Sequence, residues 1–263
     1  MKRYLILSFL LLSSCVNSSK RIISSAENPN CENQCEQNQV CVNTFTDKGA
    51  QCMVTPLHAP IDFILPFDSK TEVVCTHSSG VGSHSGSNGY FAIDLASDYS
   101  GPAAIVTASA DGIAYAFYGD DGKLCPQPKG NPQLSESSSC GDSWGNRVKI
   151  LHSNGYFSFY VHLSNVFVKT GDKIKQGDAI GIEGWTGAAG HRHLHWSVQK
   201  LPGNSARWSE QILTYTGDSV PFRFKAIQNG KLQIFDLLKI SCAHAGIGQA
   251  PMNQQPRFKG VSK

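Results

Sequence analysis

The chain from Leu57 to about Ala245 consists of short apolar runs separated by glycines, and this pattern restricts its fold more than any other feature. Short apolar runs bounded by turn residues are typical of β-strands, whereas an amphipathic helix shows a longer pattern with a period of about 3.6 residues. No long amphipathic helical pattern interrupts this stretch. The sequence therefore predicts one all-β domain over residues 57–245.

Two β-hairpins are expected within this domain. Asp111-Gly112 separates residues 106–110 from 113–118, and Asn154-Gly155 separates residues 148–152 from 156–163. Both dipeptides are typical of two-residue hairpin turns. In the second hairpin, strict alternation predicts His162 on the more polar face with Tyr160, and His152 on the opposite face. His152 is therefore expected to be structural.

A run with two Gly-Asp pairs, residues 168–181, resembles the hybrid β-sandwich of biotinyl and lipoyl carrier domains. The lysine flanked by methionines that those carriers modify is missing, so the resemblance concerns the scaffold and not the carrier function. The fold expected for residues 57–245 is a barrel-sandwich hybrid of the duplicated hybrid-motif type.

Composition and charge exclude several classes of protein. The 263 residues are 40% hydrophobic and 16% charged, which excludes a chain that is disordered throughout. The formal net charge is only +3, and no basic stripe is interleaved with aromatic residues, so we expect no nucleic-acid partner. The polar tail over residues 246–263 is expected to be flexible.

The first residues indicate export. Met1-Lys2-Arg3 is positively charged, and the apolar stretch Tyr4–Leu12 is far shorter than the roughly 20 residues of a membrane-spanning helix. This pattern predicts a signal peptide over residues 1–14. A simple secretory signal is one form, and a lipoprotein signal is the other.

Leu12-Ser13-Ser14-Cys15 resembles the bacterial lipobox, in which the cysteine is acylated and becomes the mature N-terminus. Residues 15–30, which are rich in serine and asparagine, would then form a lipidated tether to the membrane. Val16 supplies no inner-membrane retention signal of the aspartate kind, which favours the outer membrane of a bacterium.

The nine cysteines are an odd number, and assigning Cys15 to a lipid leaves eight that can all pair. An exported protein meets an oxidising compartment, and residues 31–55 are too polar to build a core without cross-links. This segment is predicted to be a small disulfide-rich module, because its cysteine spacing lacks the paired short knuckles of a structural zinc site. The expected bridges join Cys31, Cys35, Cys41 and Cys52 among themselves, Cys125 with Cys140, and Cys75 with Cys242.

Residues capable of chemistry concentrate in His193-Leu194-His195-Trp196. Positions two apart on a strand share a face, so His193 and His195 are predicted to point to one side and Trp196 into a core. A histidine-rich surface edge is the alternative, because His-x-His is short and common.

Two upstream residues favour a shared site. His84 and Asp94 lie on either side of a stretch rich in glycine and serine. Imidazole and carboxylate groups suit zinc, and two histidines plus one aspartate leave a fourth tetrahedral position for water. This donor set is typical of a catalytic site that binds one Zn²⁺ per chain.

Several motifs occur in a fixed order along the domain: Ser83-His84, Tyr90-Phe91-Ala92-Ile93-Asp94-Leu95-Ala96, Tyr160-Val161-His162-Leu163, the run at 168–181, Thr186-Gly187 and His193-Leu194-His195-Trp196. Together they resemble the lysostaphin/LytM-type zinc metallopeptidases over roughly residues 57–225. The resemblance implies an endopeptidase that hydrolyses amide bonds in peptidoglycan stem peptides or cross-bridges on a mostly antiparallel β scaffold.

The resemblance also implies roles for individual residues. His84, Asp94 and His195 match the zinc ligands, His193 matches the catalytic base, and His162 matches the second active-site histidine. The nine residues between His84 and Asp94 exceed the few found in the most familiar members, which leaves His77 as an alternative ligand. His191 is expected to be a substrate-side or solvent residue.

Two other functions are compatible with these motifs. A non-catalytic relative that binds the cell wall or regulates an amidase would have lost ligand residues. Here the three ligand residues and the two other site histidines are all present. A histidine-rich metal-storage or sensor module would bind several metal ions and cleave nothing. The expected partners are a peptidoglycan peptide and, through Cys15, a membrane; a monomer is expected.

Overall fold

We describe the protein from a computed structural model. It describes residues 39–43, 50–54, 58–80, 82–85, 89–119, 122–127, 143–202, 207–214, 217–240, 242 and 255–261. The predicted signal peptide and tether, part of the cysteine module and most of the tail lie outside these residues. Within the part described, no helix is long and apolar enough to cross a membrane.

The described residues form sixteen β-strands and one α-helix, which confirms the predicted all-β class. The strands are β1 (Gln39–Asn43), β2 (Ala50–Val54), β3 (Phe63–Ile64), β4 (Glu72–His77), β5 (Ala92–Ser97), β6 (Ile105–Thr107), β7 (Gly112–Phe117), β8 (Asn146–Leu151), β9 (Tyr156–Leu163), β10 (Asn165–Val166), β11 (Lys173–Ile174), β12 (Ala179–Ile182), β13 (Leu194–Lys200), β14 (Arg223–Gln228), β15 (Lys231–Asp236) and β16 (Arg257–Lys259), and the helix is α1 (Trp208–Thr214).

One large sheet contains most of the strands, in the order β11-β7-β8-β9-β13-β5-β4-β16-β14-β15, with β3 paired to β14. A second sheet has the order β10-β12-β6, and β1 pairs with β2 separately. The β3–β14 pair is parallel, and the other strand pairs of the described residues are antiparallel. The predicted mainly antiparallel arrangement is therefore confirmed.

Two apolar clusters lie against the large sheet. The main core combines Val106 and Ile180 of the small sheet with Ile150 and Trp196 of the large sheet. The second core contains Phe157, Phe159 and Val161 of β9 together with Ile212 of α1. Alternate residues along β9 thus point to opposite faces, as the period of two in a strand requires.

The structure confirms one predicted hairpin and contradicts the other. Strands β8 and β9 are antiparallel neighbours, but the 3₁₀ turn Ser153–Gly155 joins them in place of the predicted two-residue turn. Residues 106–110 do not fold back on β7: β6 pairs with β12, and β7 pairs with β8 and β11. The reason is that Ala108 donates a hydrogen bond to Asp178 O and accepts one from Gly177 N, so this segment is held by the small sheet.

The prediction of a flexible tail is wrong for residues 255–261. Strand β16 lies between β4 and β14, and Phe258 is 1% exposed. Its ring packs edge-on against Phe235 and Phe224. Apolar burial and backbone pairing together hold this segment in the sheet.

Part of the predicted disulfide pattern lies within the described residues. Cys75 is bonded to Cys242, as predicted, with 5.5 Å between the Cα atoms. Cys125 is also in a disulfide; its predicted partner, Cys140, lies outside the described residues. In the β1–β2 pair, Cys41 stands in register with Cys52. Cys31 and Cys35 lie outside the described residues.

His152 is buried and hydrogen-bonded at both ring nitrogens. Its Nδ1 lies 2.7 Å from Asp111 O, and its Nε2 lies 2.8 Å from the Ser158 hydroxyl. The Ser158 hydroxyl in turn lies 2.8 Å from the hydroxyl of Tyr160. His152 is therefore on the Tyr160 face, contrary to the prediction, because Leu151 and not His152 stands opposite Phe157.

We predict that His152 makes stability depend on pH. Burial lowers the pKa of His152 to about 4, although the Asp111 carbonyl acts to raise it. Between pH of about 6.5 and about 4 the unfolded chain binds a proton that the folded chain does not. Acidification through this range should therefore reduce the free energy of unfolding, by up to about 3 kcal/mol below pH 4.

Urea unfolding of the wild type and His152→Gln at pH 7, 5.5 and 4 measures this effect. The variant should have a lower free energy of unfolding than the wild type at pH 7. Acidification should then reduce this free energy by less than in the wild type. An identical pH dependence in the two proteins would contradict the assignment.

Candidate active site

Strand pairing brings Asp94 and His195 together. Asp94 of β5 and His195 of β13 are directly opposite each other in the antiparallel register. Their side chains point to the same face, as opposed residues of a sheet do, and His195 Nδ1 lies 3.0 Å from Asp94 Oδ1. Leu194 and Trp196 point into the main core, as predicted.

His84 reaches the same point from a short 3₁₀ turn, Gly82–Ser85. Its Nε2 lies 3.0 Å from Asp94 Oδ1 and 3.1 Å from His195 Nδ1. Its Nδ1 lies 3.1 Å from the carbonyl oxygen of Ser78, and only a protonated nitrogen can donate to a carbonyl. In the tautomer whose proton is on Nδ1, the lone pair of Nε2 therefore points toward Asp94 and His195.

The three converging atoms fit a metal ion. Each of them can offer a lone pair, and they lie 3.0, 3.0 and 3.1 Å apart. Ligand atoms at about 2.0–2.1 Å from a tetrahedral zinc are separated by about 3.3 Å. One proton could bridge part of this group, whereas a divalent cation would contact all three atoms. The residues present, two imidazoles and one carboxylate, are a donor set that suits zinc.

The surroundings keep Asp94 ionised. Burial alone would raise the pKa of Asp94, but the neighbouring His84, His193 and His195 hold it well below its usual value. Burial also lowers the pKa of His195, which favours the neutral ring that a metal requires. The site therefore combines a buried carboxylate with the neutral imidazole of His195.

His193 lies beside this cluster, with Nε2 3.6 Å from Asp94 Oδ2. Its Nδ1 donates to the carbonyl oxygen of His191 at 2.9 Å, which leaves the lone pair on Nε2. The backbone of His193 is fixed as well, because its N–H donates to Gly184 O at 2.9 Å. Burial lowers the pKa of His193 well below its usual value.

His162 also faces the cluster, but not in the way that strict alternation predicts. Its φ is 66°, in the left-handed region, and the β8–β9 register shifts at this end of the hairpin. Tyr160 and Leu163 therefore both lie in the main core, while the His162 ring centroid is 4.8 Å from that of His193. The Nδ1 of His162 donates to Thr186 O at 2.7 Å.

Two glycines allow the segment that holds His162 to approach closely. Gly145 has φ of +62°, and a Cβ there would lie 2.4 Å from the backbone carbon of Thr186. A Cβ on Gly187, whose φ is +77°, would lie 2.5 Å from Gly145 N. Any larger residue would push the two segments apart, so these glycines keep Thr186 O within reach of His162.

A cavity of about 540 Å³ opens beside the cluster, and His162, His193 and Trp144 are among the residues that line it. The Trp144 ring centroid is 6.0 Å from that of His195 and 5.3 Å from that of Phe159. Trp144 is a site residue that the amino-acid sequence alone does not indicate. Its position after a segment rich in serine gives no periodic signal, and only the fold shows that it is part of the cavity wall.

Two further histidines, His77 and His191, also line this cavity. The His77 ring is 4.5 Å from the His84 ring, centroid to centroid, but the converging group consists of His84, Asp94 and His195. The His191 ring lies 4.6 Å from the His193 ring. His191 therefore contacts the cavity, while its carbonyl orients His193.

Known proteins resemble this chain in the region of the site. Residues 92–208 match the profile of peptidase family M23. The peptidoglycan DD-endopeptidase ShyC of Vibrio cholerae is 48% identical over 61 residues, which are 23% of this chain and 14% of that protein. The cell division protein DipM of Caulobacter vibrioides is 32% identical over 101 residues, which are 36% of this chain and 17% of that protein.

Among solved structures, a variant of the catalytic domain of the prophage-encoded M23 protein EnpA from Enterococcus faecalis is similar. It has a TM-score of 0.38 and 22% identity, and the similarity covers 60% of this chain and 93% of that chain. The matches to ShyC and DipM span less than a fifth of the length of those relatives. The M23 range includes Asp94, His162, His193 and His195 and begins after His84.

We predict that one zinc ion binds per chain and that His84 is required for it. His84→Ala should weaken zinc binding by more than about 100-fold, because even the loss of a hydrogen-bond partner of a ligand typically weakens binding by about 10–100-fold. Zinc content by plasma mass spectrometry and affinity by chelator competition measure this.

Two control variants accompany this experiment. His58→Ala removes a histidine that pairs with Asp236 instead, and it should retain zinc. His77→Ala should also retain it. Loss of zinc in His77→Ala with full binding in His84→Ala would show that His77 is the ligand.

Proposed function

Because residues 92–208 of this chain form a peptidase family M23 domain, we propose that the protein is a zinc-dependent endopeptidase that hydrolyses amide bonds in peptidoglycan peptides. The observation that carries the proposal is the convergence of His84, Asp94 and His195 beside an open cavity. The relatives named peptidoglycan DD-endopeptidase support this choice of substrate.

His84, Asp94 and His195 would hold one Zn²⁺ through His84 Nε2, Asp94 Oδ1 and His195 Nδ1. When bound, zinc polarises the scissile carbonyl and lowers the pKa of water toward about 7 in favourable sites. The protein supplies the rest of the chemistry. Asp94 contributes the negative charge of the site, and the Ser78 carbonyl fixes the ring of His84 by accepting its Nδ1–H.

His193 is the proposed general base. Its Nδ1 proton is donated to His191 O, so Nε2 is the atom that can accept a proton from a water molecule in the cavity. The same atom can then deliver that proton to the leaving amine as the amide bond breaks. Proton transfer of this kind typically contributes about 10²–10⁴-fold to a rate.

His162 is proposed to assist His193. Its Nδ1–H is donated to Thr186 O, so the neutral ring can accept a hydrogen bond at Nε2. In that state it can orient a water molecule in the cavity. A protonated His162 could instead donate to the oxyanion of the tetrahedral intermediate. No covalent bond between enzyme and substrate is needed in either case.

The location follows from the substrate. Peptidoglycan lies outside the inner membrane of a bacterium, so the protein is proposed to be exported and anchored by a lipid on Cys15. Cys15 and the residues before it lie outside the described part of the chain, and the proposal rests on the Leu12-Ser13-Ser14-Cys15 motif.

Cys15→Ala should move the protein from the membrane fraction to the soluble fraction, as immunoblotting of fractionated cells can measure.

We predict that the wild-type protein cleaves purified peptidoglycan and that His193→Ala lowers kcat by about 10²–10⁴-fold while zinc remains bound. His195→Ala should lose both zinc and activity. Mass spectrometry of the released muropeptides identifies the bond that is cut, and His58→Ala serves as the active control.

The alternatives give different results. Binding to sacculi without any new amine termini would indicate a wall-binding or amidase-regulating protein. Several metal ions per chain, with no cleavage, would indicate a metal-storage module. Equal activity of the wild type and His195→Ala would reject the proposed mechanism.

A further inference from the structure

Next to the proposed metal ligands lies a buried pair of charged residues, Glu183 and Arg192, that this mechanism does not use. We propose that this pair positions His193 and His162 for catalysis without contacting the substrate. The inference rests on the proposed peptidase function and extends it to residues that hold the two histidines in place.

Glu183 is fully buried, and the groups that hydrogen-bond its carboxyl are donors. Its Oε1 accepts from the backbone N–H of Ser97 at 2.9 Å, and its Oε2 accepts from the Ser97 hydroxyl and from Ala104 N at 3.2 Å. A carboxyl surrounded by donors is held as a carboxylate. Burial nevertheless raises the pKa of Glu183, although the hydrogen bonds from Ser97 and Ala104 and, to a smaller extent, the charge of Arg192 act to lower it.

Arg192 is 6% exposed and joins the same loop. Its Nε lies 3.7 Å from Glu183 Oε2, and its Nη2 donates to the carbonyl oxygen of Asp98. Both terminal nitrogens donate to Gly101 O at 3.2 Å. Glu183 and Arg192 therefore bind the same loop, residues 97–104, which continues directly from the strand that carries Asp94.

The residues that follow Glu183 hold both histidines. Gly184 O accepts the backbone N–H of His193, and Thr186 O accepts His162 Nδ1–H. A Cβ on Gly184 would lie 2.6 Å from His162 O, so the backbone passes tightly against His162. Residues 183–186 therefore hold His193 and His162 in position relative to each other.

Arg192 constrains His193 from its own segment, because it is the residue immediately before His193. The Gly184–His193 bridge and the Glu183–Arg192 ion pair join the same two segments at adjacent positions. Displacement of either partner would move His193 relative to Asp94. Misplacement of about 1 Å can reduce a rate about 100-fold.

The test compares Glu183→Gln, Arg192→Met and the double variant that carries both changes. Glu183→Gln leaves the buried Arg192 charge without a counterion, so it should lower Tm most. The double variant removes both charges and should recover much of that Tm. Zinc should remain at one per chain in all three, because the ligands are unchanged.

Activity separates a positioning role from a structural one. With soluble cross-linked muropeptides as substrate, kcat of the double variant should stay about 10- to 100-fold below the wild type, with KM changed little. Arg192→Lys, which keeps the charge and some of the donors, should recover part of kcat. Arg223→Met, which removes an exposed partner of Asp236, is the matched control and should leave kcat unchanged.

Three outcomes would overturn the inference: a double variant that regains wild-type kcat together with its Tm, unchanged kcat in Arg192→Met, or loss of zinc in Arg192→Met.

The ring resonances of His193 and His162 in ¹⁵N NMR spectra of the zinc-loaded proteins give a readout that does not require activity. They should shift in Arg192→Met, while those of His84 stay in place. If the wild type cleaves no peptidoglycan, the proposed function fails, and these spectra still decide the positioning role.

Discussion

The antiparallel register between β5 and β13 is the constraint on which the site depends. It sets Asp94 opposite His195 and, one position further on, Ile93 opposite Trp196. Trp196 is fully buried and packs against Phe222 and Phe63. A slip by one residue would expose this tryptophan and bury His195 in the core. Apolar packing on one face of the sheet thus fixes polar geometry on the other.

The same logic explains why part of the site is predictable from the amino-acid sequence. The period of two along β13 is enough to assign His193 and His195 to one face and Trp196 to the other, because the strand is regular. The convergence of His84, Asp94 and His195 cannot be predicted from this period alone. It depends on which strands are neighbours and on a turn that carries His84 back over the sheet.

Irregular backbone explains what was not predictable. His162 departs from alternation because its φ is positive, and no propensity rule assigns that conformation to a histidine inside a strand. Residues 106–110 left their expected hairpin because hydrogen bonds to Asp178 and Gly177, distant in sequence, outweigh the Asp-Gly turn signal. The positions of Trp144 and of the Glu183–Arg192 pair near the site result from contacts between loops far apart in the chain, which the local sequence does not indicate.

The position of β16 has a consequence for how the molecule matures. Arg257 of β16 pairs with Glu72 of β4, 185 residues earlier in the chain. A polypeptide that is made from its N-terminus first leaves β4 without a neighbour on this side until the late segment has been synthesised. The sheet is completed only after every histidine of the site has been synthesised. Assembly order by itself therefore delays a complete site until the last part of the chain has been made.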